Sequence, residues 1–132
     1  MISLRRLLED LMNRVDMPQI SGSKIKDAVA ALKATGVKVT METILPSKLH
    51  DSQKQVYQDK VDGIAQSIKN GKVPTPVVIS SDNHTVDGHH RALAQNQLDP
   101  KKKIRVIRIH LPMKKAIELY KQVQKSLAEA WN

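Results

Sequence analysis

The chain has no cysteine and no phenylalanine, and its aromatic residues are limited to Tyr57, Tyr120 and Trp131. Without cysteine there is no disulfide and no thiol chemistry, which fits a reducing compartment. Without phenylalanine the core must rest on Leu, Ile, Val, Ala and Met. Three rings are too few for a single-stranded nucleic-acid platform, which stacks successive bases on exposed aromatics. No apolar run approaches the ~20 residues needed to cross a bilayer. The first seventeen residues are amphipathic and carry Glu9, Asp10 and Asp16, unlike the apolar segment of a signal peptide. The expectation is a cytoplasmic protein with no membrane contact.

What is present describes a globular domain. The 132 residues are 40% hydrophobic and 27% charged, enough to bury a core of their own. Lys and Arg number 22 against 13 Asp and Glu, a formal net charge of +9. Such a field attracts polyanions, although it also serves simple solubility.

Along the chain, Leu4, Leu7, Leu8, Leu11, Met12 and Val15 recur at helical spacing behind Ser3, and Pro18 ends the run. A second helix is expected over residues 24–35, with Ser23 as N-cap and Gly36 as its stop. Residues 37–44 alternate as a strand. Ser52 and Gln55 form a capping-box pair before a helix with Tyr57, Val61, Ile64, Ala65 and Ile68 on one face, closed by Gly71. Pro74 and Pro76 lead into the strand Val77, Val78, Ile79. Ser81-Asp82-Asn83 has turn chemistry, and residues 83–86 return as a second strand. A helix follows near residues 89–97, then a strand over residues 103–110. Its alternation slips at Val106-Ile107, which implies a bulge or burial on both faces. Pro112 opens a last amphipathic helix. Strands and helices mix without regular βαβ alternation, so the class is α+β. We divide the chain into a helical arm (1–36), a core (37–112) and a C-terminal helix (113–132), forming one globular unit.

The stretch richest in chemistry is Asp87-Gly88-His89-His90-Arg91, between a strand and a helix. A helix N-terminus offers unpaired N–H groups and positive dipole potential, and glycine lets a ligand approach the backbone. Arg adds a planar fork of donors matched to phosphate oxygens. The pattern points to a phosphorylated ligand. Asp87 could assist catalysis or hold Mg²⁺; the plainer reading is an N-cap. For Arg91 the plainer reading is an i, i+4 ion pair with Asp87. Adjacent His89 and His90 point in different directions on a helix, and no second arm of ligands follows, so we expect no structural metal site.

The order of pieces over residues 39–109 resembles the ParB/sulfiredoxin fold family. The pieces are Ile44-Leu45-Pro46, the Asp51-Ser52-Gln53 loop, Ala65-Gln66-Ser67-Ile68, Pro76-Val77-Val78-Ile79 and Asp87-Gly88-His89-His90-Arg91-Ala92. With Met17-Pro18-Gln19-Ile20 before the core, the chain is also similar to small bacteriophage-encoded members carrying a D-G-H-H-R motif. The resemblance implies a small mixed sheet with packed helices, and binding of ATP, ADP or CTP with Mg²⁺. Gly88, His89, His90 and Arg91 would contact phosphate; Gln53 could position a phosphate or a water, or serve only as a polar first-turn residue.

Departures from the family pattern narrow the activity. Sulfiredoxins carry a catalytic cysteine at the position of His89, so sulfinic-acid reduction is excluded here. Too little sequence follows the last strand for the helix-turn-helix domain of partitioning ParB proteins. The free-serine kinases of the fold need an acidic general base, for which Asp51, Glu42 and Asp87 are candidates. The expected activity is nucleotide phosphohydrolysis or kinase-like transfer, with Asp51, Asp87 and His90 as catalytic residues. The alternative is a non-catalytic module that contacts DNA or a host protein through Lys101, Lys102, Lys103 and Arg105, with Arg108 nearby. The N-terminal amphipathic helix would serve a homodimer or a partner. A nuclease ranks last, because the sequence lacks the clustered carboxylates of a two-metal site.

Overall fold

The computed structural model describes residues 21–50 and 57–131. The amphipathic run at 4–15, the Met17–Ile20 segment, Asp51, Gln53 and the Ser52/Gln55 pair lie outside the described residues. In chain order the elements are α1 (Ser21–Ala34), β1 (Val39–Ile44), a 3₁₀ turn (Pro46–Lys48), α2 (Gln58–Lys69), β2 (Val77–Ile79), β3 (Thr85–Asp87), α3 (His89–Leu98), β4 (Ile104–Ile109) and α4 (Met113–Trp131). The four strands form one sheet in the order β1-β4-β2-β3. β4 runs antiparallel to β1 and parallel to β2, and β2 pairs antiparallel with β3. This mixed sheet with packed helices is α+β, consistent with a ParB/sulfiredoxin-like fold.

The slipped alternation of β4 reflects burial on both faces. Its register with β1 runs unbroken from Ile44↔Ile104 to Val39↔Ile109. Val106 and Ile107 are both buried because a central strand is covered on each side. The irregularity falls instead between β2 and β3, at Val78/Ile79. On one face Val39, Val78, Ile107 and Ile109 pack against Ala28, Ala31 and Leu32 of α1 and Ala116, Tyr120 and Val123 of α4. On the other, Val77, Ile79, Ile104 and Val106 meet Ala92 of α3. A third cluster joins Val61 and Ala65 of α2 to Ala94 of α3. Alanines at these contacts let helices approach closely, so aliphatic side chains fill the core without phenylalanine. Each fully buried Val, Leu or Ile contributes about 1.5–3 kcal/mol.

Some boundaries differ from expectation. α1 is already helical at Ser21, so Ser23 lies inside the helix rather than capping it. Gly36 (φ +88) stops the helix as expected. α2 begins at Gln58 with Tyr57 in the N-cap position; the Tyr57 ring is exposed and does not belong to the buried face. The return strand starts at Thr85, because residues 81–83 complete a turn in which Asn83 adopts φ 66. On α4 the buried positions are Ala116, Tyr120 and Val123, with Met113 and Ile117 half-buried, while Lys114, Lys115, Lys121 and Lys125 face solvent.

Candidate phosphate-binding site

A single residue separates β3 from α3. Gly88 adopts φ 93 and ψ 26, the left-handed conformation that side chains resist, and serves as the N-cap with no side-chain capping bond. The Ala92 N–H donates to the Gly88 carbonyl at 2.9 Å, closing the first turn. The expectation that Asp87 caps this helix is overturned. Asp87 ends β3, and its carboxylate accepts a 2.6 Å hydrogen bond from the Tyr120 hydroxyl on α4 instead. Tyr120 is 5% exposed. Burial first, then the Asp87 charge and hydrogen bond, push its phenol far above the ordinary range.

Arg91 folds back over Gly88. A Cβ at residue 88 would lie 2.6 Å from Arg91 Nη2 and 2.9 Å from Cζ, so the guanidinium occupies the space that glycine leaves. Nη2 donates to the Pro76 carbonyl at 3.3 Å. Nε is buried and has no hydrogen-bond acceptor among the described residues. No Asp87–Arg91 ion pair is found among those residues either; Asp87 is committed to Tyr120. Among the described residues, a helix N-terminus whose N-cap makes no side-chain hydrogen bond therefore carries a guanidinium with an unmatched buried donor. Buried donors are ordinarily paired, so this arrangement suits an incoming anion.

The two histidines differ. His89 is 3% exposed, so its ring is buried and does not face solvent. Its ring meets that of His90 edge-on at 5.5 Å. His90 is half-buried, and its Nε2 accepts from the Tyr57 backbone N–H at 3.3 Å. Desolvation first, then the charges of His89 and Lys60, hold the His90 pKa below its ordinary value. A neutral imidazole is what this acceptor role requires.

All five residues from Asp87 to Arg91 line one cleft of about 590 Å³. Its opposite wall is α2, contributing Lys60, Gly63, Ile64 and Ser67, followed by Ile68; Lys72, Pro74 and Thr75 complete it. The site thus holds cations on both walls, an apolar stretch along α2 and the Asp87 carboxylate.

Residues 23–123 match the family model of the ParB N-terminal domain. The chain belongs to that family. No curated protein gives a significant match. The matched span begins in α1 and ends in α4, so it includes the whole sheet and the cleft.

Within this ParB-family domain, other residues singled out in the sequence fall elsewhere. Asp51 and Gln53 lie outside the described residues. Glu42 is not a cleft residue. It takes Arg108 Nε at 3.1 Å on each carboxylate oxygen and the Thr40 hydroxyl at 2.5 Å. The Thr40 bond foremost, with Arg108 and His110 assisting against partial burial, holds its pKa low. Arg108 also donates to the Ser80 and Ser81 carbonyls and to Asn83 Oδ1, which separates it from the basic cluster. Lys101, Lys102 and Lys103 are exposed on the turn between α3 and β4. Arg105 is exposed and donates to the Pro74 carbonyl at 2.7 Å. Among the described residues no group of three His, Cys, Asp or Glu could hold a metal ion, and no helix is long and apolar enough to cross a membrane.

Sequence reasoning missed the α2 wall. Its signal was legible: Lys60, Gly63, Ile64 and Ser67 stand at i, i+3, i+4 and i+7, a single helix stripe mixing a cation, a glycine and a hydroxyl.

Proposed function

We propose that this ParB-family domain binds a nucleotide, ATP or the related ADP or CTP, with its phosphates against Gly88, His89, His90 and Arg91. The carrying observation is the Arg91 guanidinium, laid over Gly88 with a buried Nε that has no acceptor among the described residues, at a helix N-terminus facing the cleft whose N-cap glycine makes no side-chain cap. The first-turn N–H groups of α3 bind phosphate oxygens through fixed dipoles. Arg91 adds a charge-assisted fork, and Lys60 and Lys72 balance charge from the facing wall.

We further propose that the bound nucleotide undergoes hydrolysis or phosphoryl transfer. Arg91 stabilises charge on the transferring group. His90, protonated by the approach of phosphate, donates to the leaving oxygens. Asp87, oriented by Tyr120, or Asp51 orients the nucleophile. A Mg²⁺ fits if it arrives on the phosphates, since such ions need few protein carboxylates and the cleft offers Asp87. When bound, it supplies charge neutralisation.

The test is thermal stability with ATP, ADP, CTP and GTP, with and without Mg²⁺, for wild type and Arg91→Ala. Ligand at 100 times its Kd adds about 2.7 kcal/mol. A shift with one or more nucleotides that vanishes in Arg91→Ala supports the reading, and phosphate release then tests turnover. No shift with any nucleotide sinks it. A second reading, a DNA- or host-protein-binding module of a phage-encoded protein, draws on the exposed Lys101–Lys103 turn beside the exposed Arg105.

A further inference from the structure

Gly36, Gly71 and Gly88 all adopt positive φ, where other side chains are strained. Gly63 has no such reason to be glycine. It is the sixth of the twelve residues of α2, in ordinary helical conformation, where glycine is less favourable than alanine. Among the described residues no atom lies within 4 Å of a Cβ built there, so close packing inside the chain does not call for it either. Gly63 does line the cleft, in one helix row with Lys60 and Ser67, which line it too. Beside that row stand Ile64 and, one turn on, Ile68, both half-buried on the same wall. The glycine therefore costs the free protein stability and can benefit only a bound state.

We infer that Gly63 is where the nucleoside part of the bound nucleotide lies against the backbone of α2. The inference rests on the nucleotide reading above and adds to it a residue that sets what the cleft admits. Phosphate gains little at this point. In mid-helix the Gly63 N–H is spent within the helix, and its carbonyl also accepts from the Ser67 hydroxyl at 3.1 Å. What is left is a bare strip of backbone between Lys60 and Ser67, bordered by isoleucine, on which a sugar or base packs closely. Arg91 and the α3 N-terminus, which suit phosphate, stand on the facing wall. The cleft volume of about 590 Å³ lies in the range of sites that enclose a whole small organic ligand.

The experiment is titration calorimetry of the full chain with ATP, CTP and inorganic tripolyphosphate, for wild type, Gly63→Ala and Gly63→Leu. Melting temperatures of the ligand-free proteins are measured alongside. Without ligand, Gly63→Ala is expected to melt about 2–4 °C above wild type, as alanine for glycine inside a helix should. The same variant is expected to bind whichever of ATP and CTP binds the wild type about tenfold more weakly. Gly63→Leu weakens it further, and tripolyphosphate affinity stays the same in all three proteins. Nucleotide affinity unchanged in both variants would overturn the inference and leave the nucleotide reading in place. Equal losses for nucleotide and tripolyphosphate would also overturn it, because residue 63 would then act on the phosphate site. So would a lower melting temperature for ligand-free Gly63→Ala, since the fold itself would then require the glycine. If the wild type binds neither nucleotide, the nucleotide reading falls and this assignment falls with it.

Discussion

The Tyr120 hydroxyl donates to Asp87 Oδ2 across 2.6 Å, so the last residue of β3 is fastened to the C-terminal helix at the threshold of the Gly88 turn. Asp87 and Tyr120 are 33 residues apart in sequence. Their bond couples the position of α4 to the Gly88 turn at the mouth of the cleft.

Tyr120→Phe removes this donor from a charged acceptor and is expected to lower stability by about 1.5–3 kcal/mol, read from urea unfolding. The pH dependence has a defined sign. The folded-state pKa of Tyr120 is raised, so its contribution is complete below the unfolded value of about 10. It is lost as pH rises above that value, because the unfolded chain then releases the phenolic proton first. Wild type should lose stability from about pH 10 upward and Tyr120→Phe should do so less steeply. Parallel profiles would show that the bond is not a source of stability.

Gly88→Ala strains a left-handed residue and places a methyl group 2.6 Å from Arg91 Nη2. The backbone cost is about 1 kcal/mol or more, and Arg91 must move. We expect a lower melting temperature and loss of the nucleotide-induced shift. A variant that keeps that shift would show that Arg91 need not lie over residue 88 before binding.

Protonation of His90 abolishes its role as acceptor for the Tyr57 N–H. Its pKa is depressed in the folded state, so its stabilising contribution is present above about pH 6.5 and is lost as pH falls below it. Urea midpoints should therefore decline from pH 7 to pH 5 in wild type and less in His90→Gln, which retains an acceptor. Bound phosphate favours the protonated ring, so nucleotide affinity should rise over the same interval in wild type alone. A pH profile unaltered by His90→Gln would rule out this titration.

Replacing Lys101, Lys102, Lys103 and Arg105 with Gln distinguishes the two functional readings. A DNA-binding surface would lose affinity roughly uniformly across sequences, and its salt slope would fall by about one for each phosphate contact removed. The nucleotide shift should be unaffected, since none of the four lines the cleft. Its disappearance in this variant would place the anion site on the α3–β4 turn.

Much of this arrangement was legible where local chemistry decides it. Gly88 between a β-run and a helical run implied a tight junction, and Val106-Ile107 implied either a bulge or a strand covered on both faces, of which the second is found. What escaped depended on partners distant in sequence. Asp87 read as a cap because the sequence does not display Tyr120 beside it. Arg108 read as part of the Lys101–Arg105 cluster, yet Arg105 and Arg108 are three residues apart on a strand and so face opposite sides. The α2 stripe was visible, but Ile64 and Ile68 were assigned wholly to packing, whereas both are half-buried and border the cleft.

The contact of Val61 and Ala65 with Ala94 gives the binding cavity an adjustable aperture. α2 packs on α3 through this cluster, so the bulk at the helix crossing helps to set the spacing between the two walls. Enlarging Ala94 would push α2 outward while every residue lining the cleft kept its identity. The width of the cleft could thus be tuned from behind the wall, by drift or by design, independently of the residues that line it.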